Sequence, residues 1–102
     1  MTPERIILII ENYERKLRDN GIPKVRMDLH KTLRDLDRLD LLAHAHFLCE
    51  GAKEYARDAD RQDKANRHFT AIQMCLSAAG WYSLEDLLRH NKPKDETFNP
   101  NS

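Results

Sequence analysis

Glu50, Glu54 and Asp58 stand four residues apart, and His46 stands four before the first of them. On a helix this spacing projects all four side chains from one face, and carboxylates with an imidazole are the oxygen and nitrogen donors that a divalent cation takes in a helical bundle. The chemistry this predicts is metal-dependent hydrolysis of a nucleotide or another phosphoester. A simpler reading competes with it. Lys53 and Arg57 each follow an acid by three residues and can pair with it, so the same line fits a solvated face. One helix seldom holds a whole metal site, and no second acid-plus-histidine motif occurs elsewhere in the chain to face this one. The solvated face, with no cofactor, is therefore the expectation, and the metal set His46, Glu50, Glu54, Asp58 is the alternative.

The other chemistry-bearing residues lead in the same direction. His44 and His46 diverge by about 200° on a helix and cannot share one metal; His44 is expected to pack or to bind a polar group, and His46 to lie against Glu50. His30, His68 and His90 are singletons on polar or boundary positions. The chain has two cysteines, Cys49 and Cys75, in apolar helical contexts that suit reduced, buried thiols. It has no Gly-rich phosphate loop and no nucleophile elbow, and three glycines in all. A catalytic role is not expected.

The elements that position these residues read as helices. Thr2 suits an N-cap and Pro3 the first helical turn; Ile6, Ile10, Tyr13 and Leu17 then form one stripe, ended by Asn20-Gly21 and Pro23. Val25, Leu29, Leu33, Leu36, Ala43 and Phe47 continue at helical spacing, which predicts a second helix from near Arg26 or Met27 towards Arg57. Unbroken, it would be about 50 Å long, against a radius of gyration of about 13 Å for a compact chain of this size. It must break or reach beyond its own domain. A second stripe, Leu41, Ala45, Leu48, Ala52, Tyr55 and Ala59, lies about a third of a turn round, which predicts either a kink near Gly51 or a helix apolar on nearly all sides between Leu39 and Cys49.

Asp60 with Asp63 reads as a capping box for a third helix, from about Arg61 to Ala79, buried through Ala65, Phe69, Ile72, Leu76 and Ala79. Gly80 suits a left-handed C-cap, and Ser83 with Asp86 caps a short fourth helix whose Leu84, Leu87 and Leu88 are expected to close one end of the core. Trp81 and Tyr82 fit an anchor of packing or an aromatic platform for a partner. The third and fourth helices with their Gly turn also have the outline of a helix-turn-helix. Glu85 and Asp86 at the start of the would-be reading helix would repel phosphates, so nucleic-acid binding is a second alternative only.

These elements make an all-α bundle of three longer helices and a short C-terminal one, with an antiparallel arrangement expected. A length of 102 residues suits one domain, read as 1–91, and a chain of this size buries roughly two thirds of its unfolded surface. Residues 92–102, with two prolines and little that is apolar, read as a disordered tail. Lys plus Arg and Asp plus Glu are 17 each, evenly spread, which argues against the segregated positive charge that nucleic-acid binding uses. The longest apolar run, Ile6 to Ile10, is far too short for a bilayer, and Pro3 and Glu4 stand where a signal peptide carries positive charge, so a cytoplasmic setting and no membrane are expected. What remains is a surplus of apolar helical surface: Ile7 and Leu8 on the first helix and the belt from Leu39 to Cys49. That surplus predicts a non-enzymatic interaction or regulatory protein acting as a homodimer, with the second helix near the axis and Ile7, Leu8, Leu41, Leu48, Trp81 and Tyr82 meeting a partner.

Overall fold

The computed structural model describes residues 1–92, and the expected tail falls almost wholly outside them. It contains α1 (Pro3–Asp19), α2 (Arg38–Ala56), α3 (Gln62–Ala78) and α4 (Leu84–His90), with single 3₁₀ turns at Leu33–Asp35 and Ala59–Arg61. Among the described residues there is no strand, and the three long helices pack against one another. No helix among them is long and apolar enough to cross a membrane.

Local chemistry explains most of the ends. The Thr2 hydroxyl accepts the Arg5 amide at the start of α1, and the Ser83 hydroxyl and Asp86 carboxylate cap each other's amides at the start of α4. α1 and α3 close in the same way, with Gly21 (φ 71°) and Gly80 (φ 85°) left-handed. The amides of Ile22 and Trp81 reach back to the carbonyls of Leu17 and Leu76. The stripes of α1 and α3 are buried as their spacing predicts: Ile6, Ile10, Tyr13 and Leu17 on one, Ala65, Phe69, Ile72, Leu76 and Ala79 on the other.

The second helix departs from expectation. It begins at Arg38, where Asp37 accepts the Asp40 amide, and not near Arg26 or Met27. Residues 22–37 are a connection that crosses α2, and Val25, Leu29 and Leu33 are exposed although their spacing is helical. Short polar side chains hold this segment in turns that compete with a helix. Asp28 accepts the His30 amide, and the amide and hydroxyl of Thr32 both donate to Asp35. The length conflict disappears, and the radius of gyration is 13.0 Å.

Within α2 the belt is apolar without being buried all round. Leu41, Leu42, Ala43, Ala45 and Cys49 are buried, whereas Leu39 and Phe47 are exposed. No break occurs at Gly51, because α2 runs through it to Ala56. The second stripe also stops short, since Ala59 lies in the following turn and is exposed. The Asp60–Asp63 capping box does not form. Asp58 instead accepts the Asp60 amide, and the Gln62 side-chain amide donates to the carbonyls of Ala56 (3.0 Å) and Asp58 (2.7 Å), closing the end of α2. Of the three leucines of α4 Leu87 alone reaches the core, while Leu84 and Leu88 face outward.

Gly51 therefore occupies an ordinary helical position, and a Cβ there would meet only Tyr55 Cε2, at 3.9 Å. Replacing it removes unfolded-chain entropy without a clash. Gly51→Ala is expected to stabilise the protein by about 0.5–1 kcal/mol, read as a higher urea midpoint at unchanged slope.

Candidate functional site

The acids of the predicted metal line do not converge with the histidine. Glu50 and Glu54 are exposed on α2, whereas Asp58 lies beyond the helix end, where it caps the following turn and pairs with Arg61 at 3.5 Å. His46 is buried, and its Nδ1–H donates to the Ile22 carbonyl at 2.8 Å; it does not lie against Glu50 as expected. Lys53, which would neutralise Glu50 (3.9 Å), makes its short contact at 2.7 Å with Glu14 of α1, an ion pair largely shielded from solvent. Among the described residues no group of three His, Cys, Asp or Glu side chains is placed to hold a metal ion. Cys49 and Cys75 are buried free thiols, and burial pushes both away from the reactive thiolate.

The residues expected to meet a partner divide. Leu41 and Tyr82 are each 5% exposed and belong to the chain's own core, so neither is available to a partner. The reason for Tyr82 is the turn after Gly80, which folds it inward to contact Tyr13 and His90 while its hydroxyl accepts from Lys16 at 3.3 Å. Trp81 is half-buried, with the Lys16 ammonium 4.7 Å from its ring. Leu8 is exposed on the outer side of α1 among Glu4, Glu11 and Arg15, a single apolar side chain of the kind ordinary surfaces carry. Ile7 sits at the edge of a groove of about 570 Å³ with Ala56 and Gln62. Leu48 lines a cleft of about 260 Å³ with Phe47, Tyr55 and His68.

Two features are absent from the sequence reading. One is a buried polar hub joining α1, α3 and α4. Gln73 Nε2 donates to the Tyr13 oxygen (3.1 Å), leaving the Tyr13 hydroxyl hydrogen for His90 Nδ1 (2.7 Å), while Gln73 and Asn91 exchange amide hydrogen bonds at 2.8 and 3.0 Å. Arg5 adds a bond to the His90 carbonyl (3.0 Å). A tyrosine on a core stripe needs a partner for its hydroxyl, and this was the available signal. None of the clefts described here is lined by Tyr13 or His90. The hub ties α4 to the bundle.

The other feature is the way residues 22–37 lie on α2. The Val25 amide donates to the Ala43 carbonyl (3.2 Å), and the Met27 amide to His44 Nδ1 (3.1 Å), so His44 binds a polar group as expected. His44 also stacks on Phe47, centroids 6.2 Å apart. Val25, Leu29, Leu33, Leu39 and Phe47 are 40% to 67% exposed. On α2, Leu39 and Phe47 stand one turn to either side of Ala43, whose carbonyl holds Val25, so the Val25 backbone meets α2 between the turns that carry these two exposed side chains. The third and fourth helices keep a helix-turn-helix outline, but Asp86 at the start of α4 is engaged by its cap and by Arg89 at 2.6 Å.

No known protein family, curated protein or solved structure matches the chain.

Removing the Tyr13 oxygen takes a partner from Gln73 and from His90 together. Tyr13→Phe is expected to cost about 1–3 kcal/mol in urea unfolding while the fold is kept. His44, His46 and His90 are all held below the ordinary histidine pKa, chiefly by burial. Unfolded histidines take up protons first as pH falls, so the stability these neutral rings contribute is full above about pH 6.5 and is lost as pH falls towards their folded values. The urea midpoint should therefore drop between about pH 7.5 and about pH 5.5.

Proposed function

We propose that this chain is a non-enzymatic interaction protein that works as a homodimer, paired through the face where residues 22–37 cross α2. The observation that carries the reading is the concentration of exposed Val25, Leu29, Leu33, Leu39 and Phe47 on one stretch of chain that the monomer leaves uncovered. A surplus of large apolar side chains left open to water is typical of association sites.

The charges around it favour a second copy as the partner. Arg26, Asp28, Lys31, Arg34, Asp35, Asp37, Arg38 and Asp40 intersperse four cations and four anions along the same stretch. A twofold interface brings a surface against itself, so a mixed rim can oppose each cation with an anion, whereas a rim of one sign would repel its copy. The earlier expectation that α2 lies near the axis is retained. The contact residues differ, with the loop and the outer side of α2 replacing Ile7, Leu8, Leu48 and Trp81 as its centre. The buried free thiols accord with a reducing, cytoplasmic setting, which belongs to this proposal.

Light scattering over a concentration series tests it. The wild type is expected at twice the monomer mass, and Val25→Asp with Phe47→Asp at the monomer mass with unchanged far-ultraviolet circular dichroism. Leu8→Asp, outside the face, should leave association as it is. A wild type that stays monomeric at the highest concentration measured defeats the reading.

A further inference from the structure

Three hydrogen bonds pin the start of the 22–37 segment to α2, and they respond differently to a proton. The bond from the Val25 amide to the Ala43 carbonyl joins two peptide groups and does not titrate. His46 gives its Nδ1–H to the Ile22 carbonyl, so a further proton goes to Nε2 and leaves that bond in place. His44 is arranged the other way. The Met27 amide is a permanent donor, so His44 Nδ1, 3.1 Å away, must present its lone pair, and the neutral ring carries its proton on Nε2.

The geometry points to His44 as an acid-released latch: a proton taken from solvent onto Nδ1 sets two donors against each other, breaks the bond to Met27 and frees the part of the segment beyond Val25, which carries Leu29 and Leu33. This inference rests on the association face proposed above and assigns its regulation. As the ring becomes a cation the Met27 amide passes to water, and Leu29 and Leu33 lose the bond that fixes their stretch of chain against α2.

The surroundings set where the latch opens. From the segment itself, Arg26, Asp28 and Lys31 line a cleft of about 130 Å³ together with Met27 and, from α2, Asp40. His68 faces the ring from α3, and Phe47 stacks on it from the next turn of α2. Burial, then Arg26, then His68 disfavour the imidazolium, which keeps the latched form in place to below the usual histidine range.

The experiment follows the His44 ring and the Met27 amide of the full chain by NMR from about pH 7.5 to about pH 5. Both are expected to titrate with one midpoint below about 6.5, and protection of the Met27 amide from hydrogen exchange, corrected for its intrinsic pH dependence, should fall at least about tenfold across it. His44→Asn supplies an acceptor that does not titrate, and should keep Met27 protected over the whole range. His44→Phe keeps a ring against Phe47 without an acceptor, and should leave Met27 unprotected at every pH. Protection of Met27 that ignores the titration of His44 in the wild type overturns the latch, whatever the variants do, and so does equal loss in His44→Asn. Light scattering on the same samples separates the two readings. A monomer throughout, with Met27 still titrating, removes self-association and leaves the latch standing; a dimer that persists after Met27 is released removes the control of association by His44.

Discussion

The close approach of α1 and α3 to α2 is the constraint on which the rest of the structure depends. Ala45, Cys49, Ala52 and Ala56 recur at spacings of four, three and four along α2, and each is at most 2% exposed. Small side chains at helical spacing let neighbouring backbones come near, and the larger residues from either side then fill the space: Ile6, Ile9, Ile10 and Leu17 from α1, Phe69, Ile72 and Leu76 from α3. A wider residue on this stripe would push the neighbours apart and lose contacts along their whole length. Because α2 is covered from both sides, what remains open on it is a narrow outer strip, and the 22–37 segment crosses that strip.

Polar contacts decide how the pieces around this centre are held. Glu14 and Lys53 join α1 to α2 where both are shielded from water, a position in which losing one partner leaves a charge poorly solvated. α4 makes little close backbone approach to the other helices and is attached chiefly through Leu87, Tyr82 and the hydrogen bonds of His90 and Asn91. The crossing segment is attached through backbone amides to Ala43 and His44. Elements held by a few specific bonds open at lower cost than those held by broad apolar contact. The interior of this protein is therefore firm at α1, α2 and α3, and its adjustable parts are the segment and α4.

That division bears on function. Among the described residues Glu50, Glu54 and Asp58 join no group of three side chains placed to hold a metal ion, and His46 is committed to the segment. The apolar surplus expected of the chain differs in part from the one inferred: Leu8, Leu39 and Phe47 stay exposed, Leu41 is absorbed by the core, and Val25, Leu29 and Leu33 are exposed as well. The proposed association and its proposed regulation involve one region, because the segment that exposes Val25, Leu29 and Leu33 also brings the Met27 amide to an imidazole.

How far each part was legible follows from the range of the interactions behind it. Helices α1, α3 and α4, the burial stripes of α1 and α3 and the caps at Thr2, Gly80 and Ser83 are set by neighbours within one or two turns, so spacing and residue type were sufficient. The start of α2 was not, because Val25, Leu29 and Leu33 imitate a helical stripe, and several aspartates, at 28, 35, 37, 40, 58, 60 and 63, compete as caps with similar local merit. Which of them caps was decided by tertiary contact: Gln62 closing over the end of α2, and the segment pinned across Ala43 and His44. The Tyr13–His90 and Glu14–Lys53 pairs join residues 77 and 39 positions apart, beyond any local pattern. The amino-acid order by itself determined the all-α class, the caps at Thr2, Gly80 and Ser83 and the core stripes of α1 and α3, since these depend on short-range periodicity. Only the tertiary structure decided which apolar and polar residues were left facing water, because that depends on which elements arrive to cover them.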